Sequence, residues 1–278
     1  MLFKATVSLV FFSTFTFTVF AENTTFIGKF AQGGVVVGKN LTAKKIFLDD
    51  KEIALSNEGY FIFGFGRDHK IKSELKIIQK KNNNKLLYNL DIEKSNYKIE
   101  RIDGLAPKMV TPGPEFYKKI KEDKALIKKG MEKKYNTNDF PHTFIMPAIG
   151  RFSGVYGSQR ILNGIKKNPH GGLDIAAPQG TEIKSIAKGL VLLAEKGLYY
   201  TGNIVIIGHG YGVKSMYIHM EDIFVKEGDV VMQGQMIGTI GMTGRATGPH
   251  LHLNIYINNV KVNPELLFAV SKWEYQSF

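Results

Sequence analysis

Apolar and polar positions along the chain alternate mostly with period two, the spacing of half-buried strands. The clearest case follows Gly248-Pro249. Leu251, Leu253, Ile255 and Ile257 fall on one face, and His250, His252, Asn254 and Tyr256 on the other. Upstream, Val35–Val37, Lys45–Leu48, Tyr60–Phe65, Leu75–Ile78, Leu86–Leu90 and Tyr97–Ile102 are short β-branched or aromatic runs. Gly33-Gly34, Asp49-Asp50, Asn57-Glu58-Gly59 and Asn82-Asn83-Asn84 separate them as turns. Short strands at this spacing predict a small sandwich between Thr25 and Gly104, with Glu93–Arg101 as an edge or surface strand.

Helical spacing shows after a stiff break at Pro107, Pro112, Gly113 and Pro114, where Pro114 suits a first helical position. Phe116, Ile120, Ile127 and Met131 form the apolar stripe, and lysines cover the other faces. The helix is expected to end near Tyr135 and to pack as a strut across two domains. From Phe144 the signals are again strand and turn, with strands at Gly189–Glu195, Asn203–Ile207, Val213–His219, Val230–Val231 and Met236–Ile240. Within Ser215–Met220, period two puts Met216, Ile218 and Met220 on one face and Tyr217 and His219 on the other.

The predicted fold is mainly β. A small β-sandwich-like N-terminal domain covers 22–104, a Pro-rich linker and helix cover 105–139, and an antiparallel β-sheet or barrel-like domain covers 140–278. Residues 1–21 read separately. Lys4 precedes an apolar run from Ala5 to Phe20, and Val19-Phe20-Ala21 offers a cleavage site, the layout of a secretory signal peptide. The run is short for a membrane span, so no stable span is expected after cleavage.

Composition narrows the chemistry. The 278 residues contain no cysteine, which removes thiol catalysis, thiolate zinc sites and disulfides together. Any metal must be held by nitrogen and oxygen. The net charge of +12 admits an anionic partner such as a wall polymer, but no arginine-rich or aromatic-interleaved motif points to nucleic acid.

Five of the seven histidines lie between His170 and His252. Pro169-His170-Gly171-Gly172-Leu173-Asp174-Ile175 sets an imidazole and a carboxylate in a loop entering a strand, and both are good zinc ligands. His219 stands on a strand beside Tyr217. His250 and His252 share a strand face and can point at one metal ion, and spacing alone does not say which of the two binds. His209, within Gly208-His209-Gly210-Tyr211-Gly212, reads as a turn residue near the site, and His69 as a solvated loop histidine. Tyr199 and Tyr200 are candidates for lining a substrate groove.

The order His170-x-x-x-Asp174, Tyr217-x-His219-Met220 and His250-x-His252 resembles the M23 family of zinc metallopeptidases, the lysostaphin-like or LytM domains. Ser153–Arg160, Asp174–Thr181 and Thr243–His250 match further words of the family, so the resemblance covers residues 140–270. The front half is similar, more loosely, to the all-β region preceding this domain in secreted proteobacterial members. Residue by residue, the resemblance implies one Zn2+ per chain held by His170, Asp174 and His252. His219 and His250 would then be catalytic, lining the water and the scissile carbonyl. Three protein ligands leave a fourth position free, and zinc brings the pKa of its water to about 7. One imidazole can take that proton while another hydrogen-bonds the oxyanion. Met220 in place of the usual leucine, and Asn254 after the histidine pair, depart from the family without touching this set.

The resulting expectation is a secreted zinc metalloendopeptidase, periplasmic or cell-wall associated, that hydrolyses peptide cross-links between peptidoglycan peptide stems. The alternative is a non-catalytic wall-binding protein or an activator of other wall hydrolases, and the complete ligand set favours activity. Glu227–Gln235 also resembles the wording of biotinyl- or lipoyl-like carrier barrels, but no lysine-tipped hairpin is present, so shared barrel architecture explains it.

Overall fold

A computed structural model describes residues 19–21, 24–104 and 110–270. The predicted export segment lies outside the described residues except for 19–21, and Pro107 lies outside them too. Two four-stranded sheets build the front half. The first runs in the order β1 (Val19–Ala21), β2 (Thr24–Gly28), β3 (Val35–Lys39), β6 (Tyr60–Gly64). The second runs β5 (Lys51–Ile53), β4 (Ala43–Leu48), β7 (Lys72–Gln79), β8 (Lys85–Asp91). Val36, Phe61 and Phe63 meet Ile46, Leu75 and Ile77 between these sheets and complete the expected sandwich.

The first sheet buries its other face as well. Val35, Val37, Tyr60 and Ile62 join a second core made with Leu173, Ile175, Leu251, Leu253, Ile255 and other residues of the back half. That is why these strands read as unbroken apolar runs instead of alternating.

The back half is one antiparallel ten-stranded sheet. Its main path is β10 (Arg151–Gly154), β13 (Leu173–Ala176), β20 (His250–Ile257), β17 (Val213–Ile223), β16 (Gly202–Gly210), β15 (Gly189–Leu198), β18 (Val230–Val231). Three more strands flank that path: β14 (Glu182–Lys184), β19 (Met236–Ile240) and β21 (Val260–Val262). A separate three-stranded sheet pairs β12 (Ile165–Lys166) with β11 (Gln159–Leu162), and β11 in parallel with β9 (Ile99–Ile102).

A short 3-10 turn at Pro114–Phe116 leads into α1 (Tyr117–Glu132), and α2 (Pro264–Val270) closes the described chain. α1 ends earlier than Tyr135 and is not a strut. Its Leu126, Ile127 and Met131 pack on Leu192, Ile206, Met216 and Ile218 of the large sheet. Gly130 permits the close approach, since a Cβ there would lie 3.1 Å from Leu193 Cβ. Among the described residues no helix is long and apolar enough to cross a membrane.

Candidate metal centre and cleft

β20 is the middle of the site because it lies between β13 and β17. Its alternation holds. Leu251, Leu253, Ile255 and Ile257 enter the core, while His250, His252, Asn254 and Tyr256 face a cleft of about 950 Å³. Asp174 stands directly opposite His252 in the β13–β20 ladder. Side chains opposite one another share a sheet face at close range, so register alone brings the carboxylate to the imidazole. His170 comes in from the loop before β13. Gly172 lets that loop press on β20, since any Cβ there would lie 2.2 Å from Leu253 O.

Three atoms converge. His170 Nε2 is 2.9 Å from Asp174 Oδ1 and 2.9 Å from His252 Nδ1, and His252 Nδ1 is 2.6 Å from Asp174 Oδ1. The other ring nitrogens are committed: His170 Nδ1–H donates to Val155 O at 2.9 Å, and His252 Nε2–H donates to Asn254 Oδ1 at 3.1 Å. Both converging nitrogens therefore present lone pairs, and so does the carboxylate. Three acceptors facing one another at this range repel unless a cation sits among them, and two neutral imidazoles with one carboxylate are a zinc donor set. The residues fit the ion that the sequence resemblance implies. All three are sheltered, His170 and Asp174 fully so. Burial pushes the Asp174 carboxyl up, but when a proton takes the place of the cation between these atoms, hydrogen bonds and charge from His170 and His252 hold it far below the usual carboxylate range. Burial pushes His252 down, despite its Asp174 partner.

His219 and His250 sit beside this group, with ring centroids 4.8 Å apart. His250 Nε2 is 3.9 Å from Asp174 Oδ1, and its Nδ1–H donates to Gly248 O at 2.8 Å. His219 Nδ1–H donates to Thr243 O at 2.8 Å. Each tautomer leaves Nε2 as an acceptor. Burial pushes His219 down to about 4, so this imidazole is neutral at pH 7.

The predicted partition of β17 fails at His219. Tyr217 and Met220 enter the core, whereas Met216, Ile218 and His219 face the cleft. The ladder to β16 slips here: Val205 faces Tyr217 but Asn203 faces Met220, so β17 carries one extra residue. His219 has φ +64°. This is a β-bulge, which breaks the period of two.

Two other histidines are also corrected. His209 lies in β16, fully buried and away from the cleft. Its Nδ1–H donates to Lys188 O at 2.9 Å, and its Nε2 is 2.7 Å from Ser215 Oγ. His69 is half-buried, 2.7 Å from Ser73 Oγ and packed on Phe65. The tyrosine pair divides: Tyr200 lines the cleft beneath Arg245, while Tyr199 packs on Phe116.

Arg160 was visible in the sequence only as one letter of a motif. In the structure its Nη2 donates to Asp174 Oδ2 at 2.8 Å, and its Nε to Glu100 Oε2 at 3.3 Å. Val155, Thr243 and Gly248, whose carbonyls fix three imidazole tautomers, likewise stand in the sequence only as letters of motifs, because a backbone acceptor leaves no residue-type signal.

Residues 168–264 match Peptidase family M23. Peptidoglycan DD-endopeptidase ShyA of Vibrio cholerae is 39% identical over 115 residues, which is 40% of this chain and 26% of that protein. DD-carboxypeptidase/endopeptidase Mpg of Neisseria meningitidis serogroup B is 46% identical over 96 residues, which is 34% of this chain and 22% of that protein. The chain thus spans about a quarter of the length of these relatives. A crystal structure from Pseudomonas aeruginosa assigned to peptidase M23 superposes with a TM-score of 0.66 at 26% identity, over 87% of this chain and 96% of that one.

Proposed function

Since the chain carries a domain of peptidase family M23, we propose that it is a zinc metalloendopeptidase that hydrolyses peptide cross-links of peptidoglycan. One observation carries the reading. His170 Nε2, Asp174 Oδ1 and His252 Nδ1 present lone pairs to one point, and two further imidazoles face the same cleft. Relatives named as peptidoglycan endopeptidases support the substrate class. The signal-peptide layout expected of residues 1–21 fits a periplasmic or wall-associated location.

His170, Asp174 and His252 would hold the ion, one per chain. Bound there, Zn2+ supplies a Lewis acid that acidifies water and polarises a carbonyl. The remaining steps belong to side chains. His250 Nε2, close to Asp174 and held by Gly248 O, accepts a proton from water in the cleft. His219 is neutral and anchored by Thr243 O, so its Nε2 can also take a proton. Once protonated, either imidazole becomes a donor to the oxyanion and returns the proton to the leaving amine.

The test is digestion of purified peptidoglycan by the zinc-loaded protein, with mass spectrometry of the released muropeptides. Cleaved cross-links that disappear on chelation and return with zinc are the expected result. Stoichiometric zinc with every cross-link intact would leave a wall-binding protein.

A further inference from the structure

We infer that Arg160 and Glu100 form a positioning relay that holds Asp174 to the metal through one oxygen only. This rests on the proposed metal site. Asp174 has two carboxylate oxygens with different tasks. Oδ1 converges with the two imidazoles, and Oδ2 accepts from Arg160 Nη2 at 2.8 Å. An oxygen already engaged by a guanidinium is a poor second ligand. The carboxylate therefore stays monodentate, and the coordination position that a substrate needs stays open.

Arg160 alone would be a costly device, because it sets a positive charge beside a dication. Glu100 answers that charge. Its Oε2 is 3.3 Å from Arg160 Nε, so the guanidinium is shared between two carboxylates, Nε toward Glu100 and Nη2 toward Asp174. Asp174, Arg160 and Glu100 together sum to one negative charge, which favours a cation.

Register creates the contact. β9 and β11 run parallel, with Glu100 directly across from Arg160. A one-residue slip would put Ile99 or Arg101 there, removing the carboxylate or adding a like charge. Neither residue of the relay lies in the matched stretch 168–264. Glu100 comes from the strand that precedes the linker and α1. The front half of the chain thus reaches to within two side chains of the metal.

The experiment uses full-length protein carrying R160Q, R160K or E100Q. Zn2+ affinity is measured by chelator competition, and the Co2+-loaded form by visible absorption. R160Q is expected to shift zinc affinity about 10- to 100-fold, the usual scale of an outer-shell change. Its cobalt bands should weaken as Oδ2 joins the ion and raises the coordination number. R160K keeps a donor for Oδ2 and should recover most of the cobalt band intensity. E100Q should lose several-fold in affinity, and it keeps the test alive if R160Q does not fold. Unchanged affinity and unchanged cobalt spectra in both R160Q and E100Q would overturn the relay. Wild-type protein that binds neither ion would instead overturn the metal site itself, while zinc binding without hydrolysis would overturn only the proposed reaction.

Discussion

Tyr217 and His219 stand two residues apart on one strand yet face opposite sides of the sheet. The extra residue and the φ of +64° at His219 make the difference. Tyr217 anchors the core, where Ile186 N–H donates to its oxygen at 3.1 Å. His219 is turned out to the cleft, with its own N–H donating to Thr201 O at 2.9 Å. The left-handed backbone costs a non-glycine residue about 1–2 kcal/mol. His219→Gly should therefore melt at or above wild type, and His219→Val well below it, since branching at Cβ is least tolerated there. Calorimetry of the metal-free proteins checks the order, and a stable His219→Val would contradict the bulge.

The proposed division between metal ligands and cleft imidazoles predicts two kinds of loss. His170→Ala and Asp174→Ala should lose stoichiometric zinc along with activity. His219→Ala should keep its zinc and lose about 10²- to 10⁴-fold in kcat, the usual range for a general acid–base group. Metal analysis beside a wall-digestion assay separates them. Zinc lost from His219→Ala would make it a ligand instead.

His209 makes stability depend on pH. Burial pushes it from 6.5 down to about 4. Below pH 6.5 the unfolded chain takes up a proton that the folded chain refuses. Stability is therefore full above that pH and falls as pH drops toward 4, by about 3 kcal/mol for this one group. His219 and His252 act in the same sense. His209→Gln should thus have a shallower, not flat, slope between pH 6.5 and 4 in urea titrations of metal-free protein. A slope equal to wild type would mean that His209 charges freely in the fold.

Gly157 joins the front half to the loop that carries His170. Its φ is +84°, and a Cβ there would lie 2.1 Å from Tyr97 Cδ1. Arg67 Nε donates to its carbonyl at 2.7 Å, and its N–H donates to His170 O at 2.8 Å. Gly157→Ala should cost about 2 kcal/mol or more, from both backbone strain and clash. Adding Tyr97→Ala should return the clash component only. A double-mutant cycle on denaturation free energies measures the split, and strict additivity would deny the contact.

Much of the site was legible because period two survives where strands are regular. Leu251, Leu253, Ile255 and Ile257 alone define the β20 face. The same reading failed at His219, because a bulge is set by ladder geometry and leaves no mark in apolar spacing. His209 looked like a turn residue among glycines, but Gly208 and Gly210 are strand positions, with Gly208 backed against Leu192 and Tyr135. Glu100 was illegible for a different reason. Its partner lies 60 residues on, across a parallel pairing that no local pattern announces.

The sheet containing Val35–Val37 has no free side. Val36 belongs to one core, and Val35 and Val37 to the other. A partition that supports both neighbours ties their melting together, so neither half has a separate unfolding temperature to lose. Excising residues 168–264 would bare Ile257 and Val262, which pack at Gly64, so transplanting this stretch means carrying β2, β3 and β6 with it.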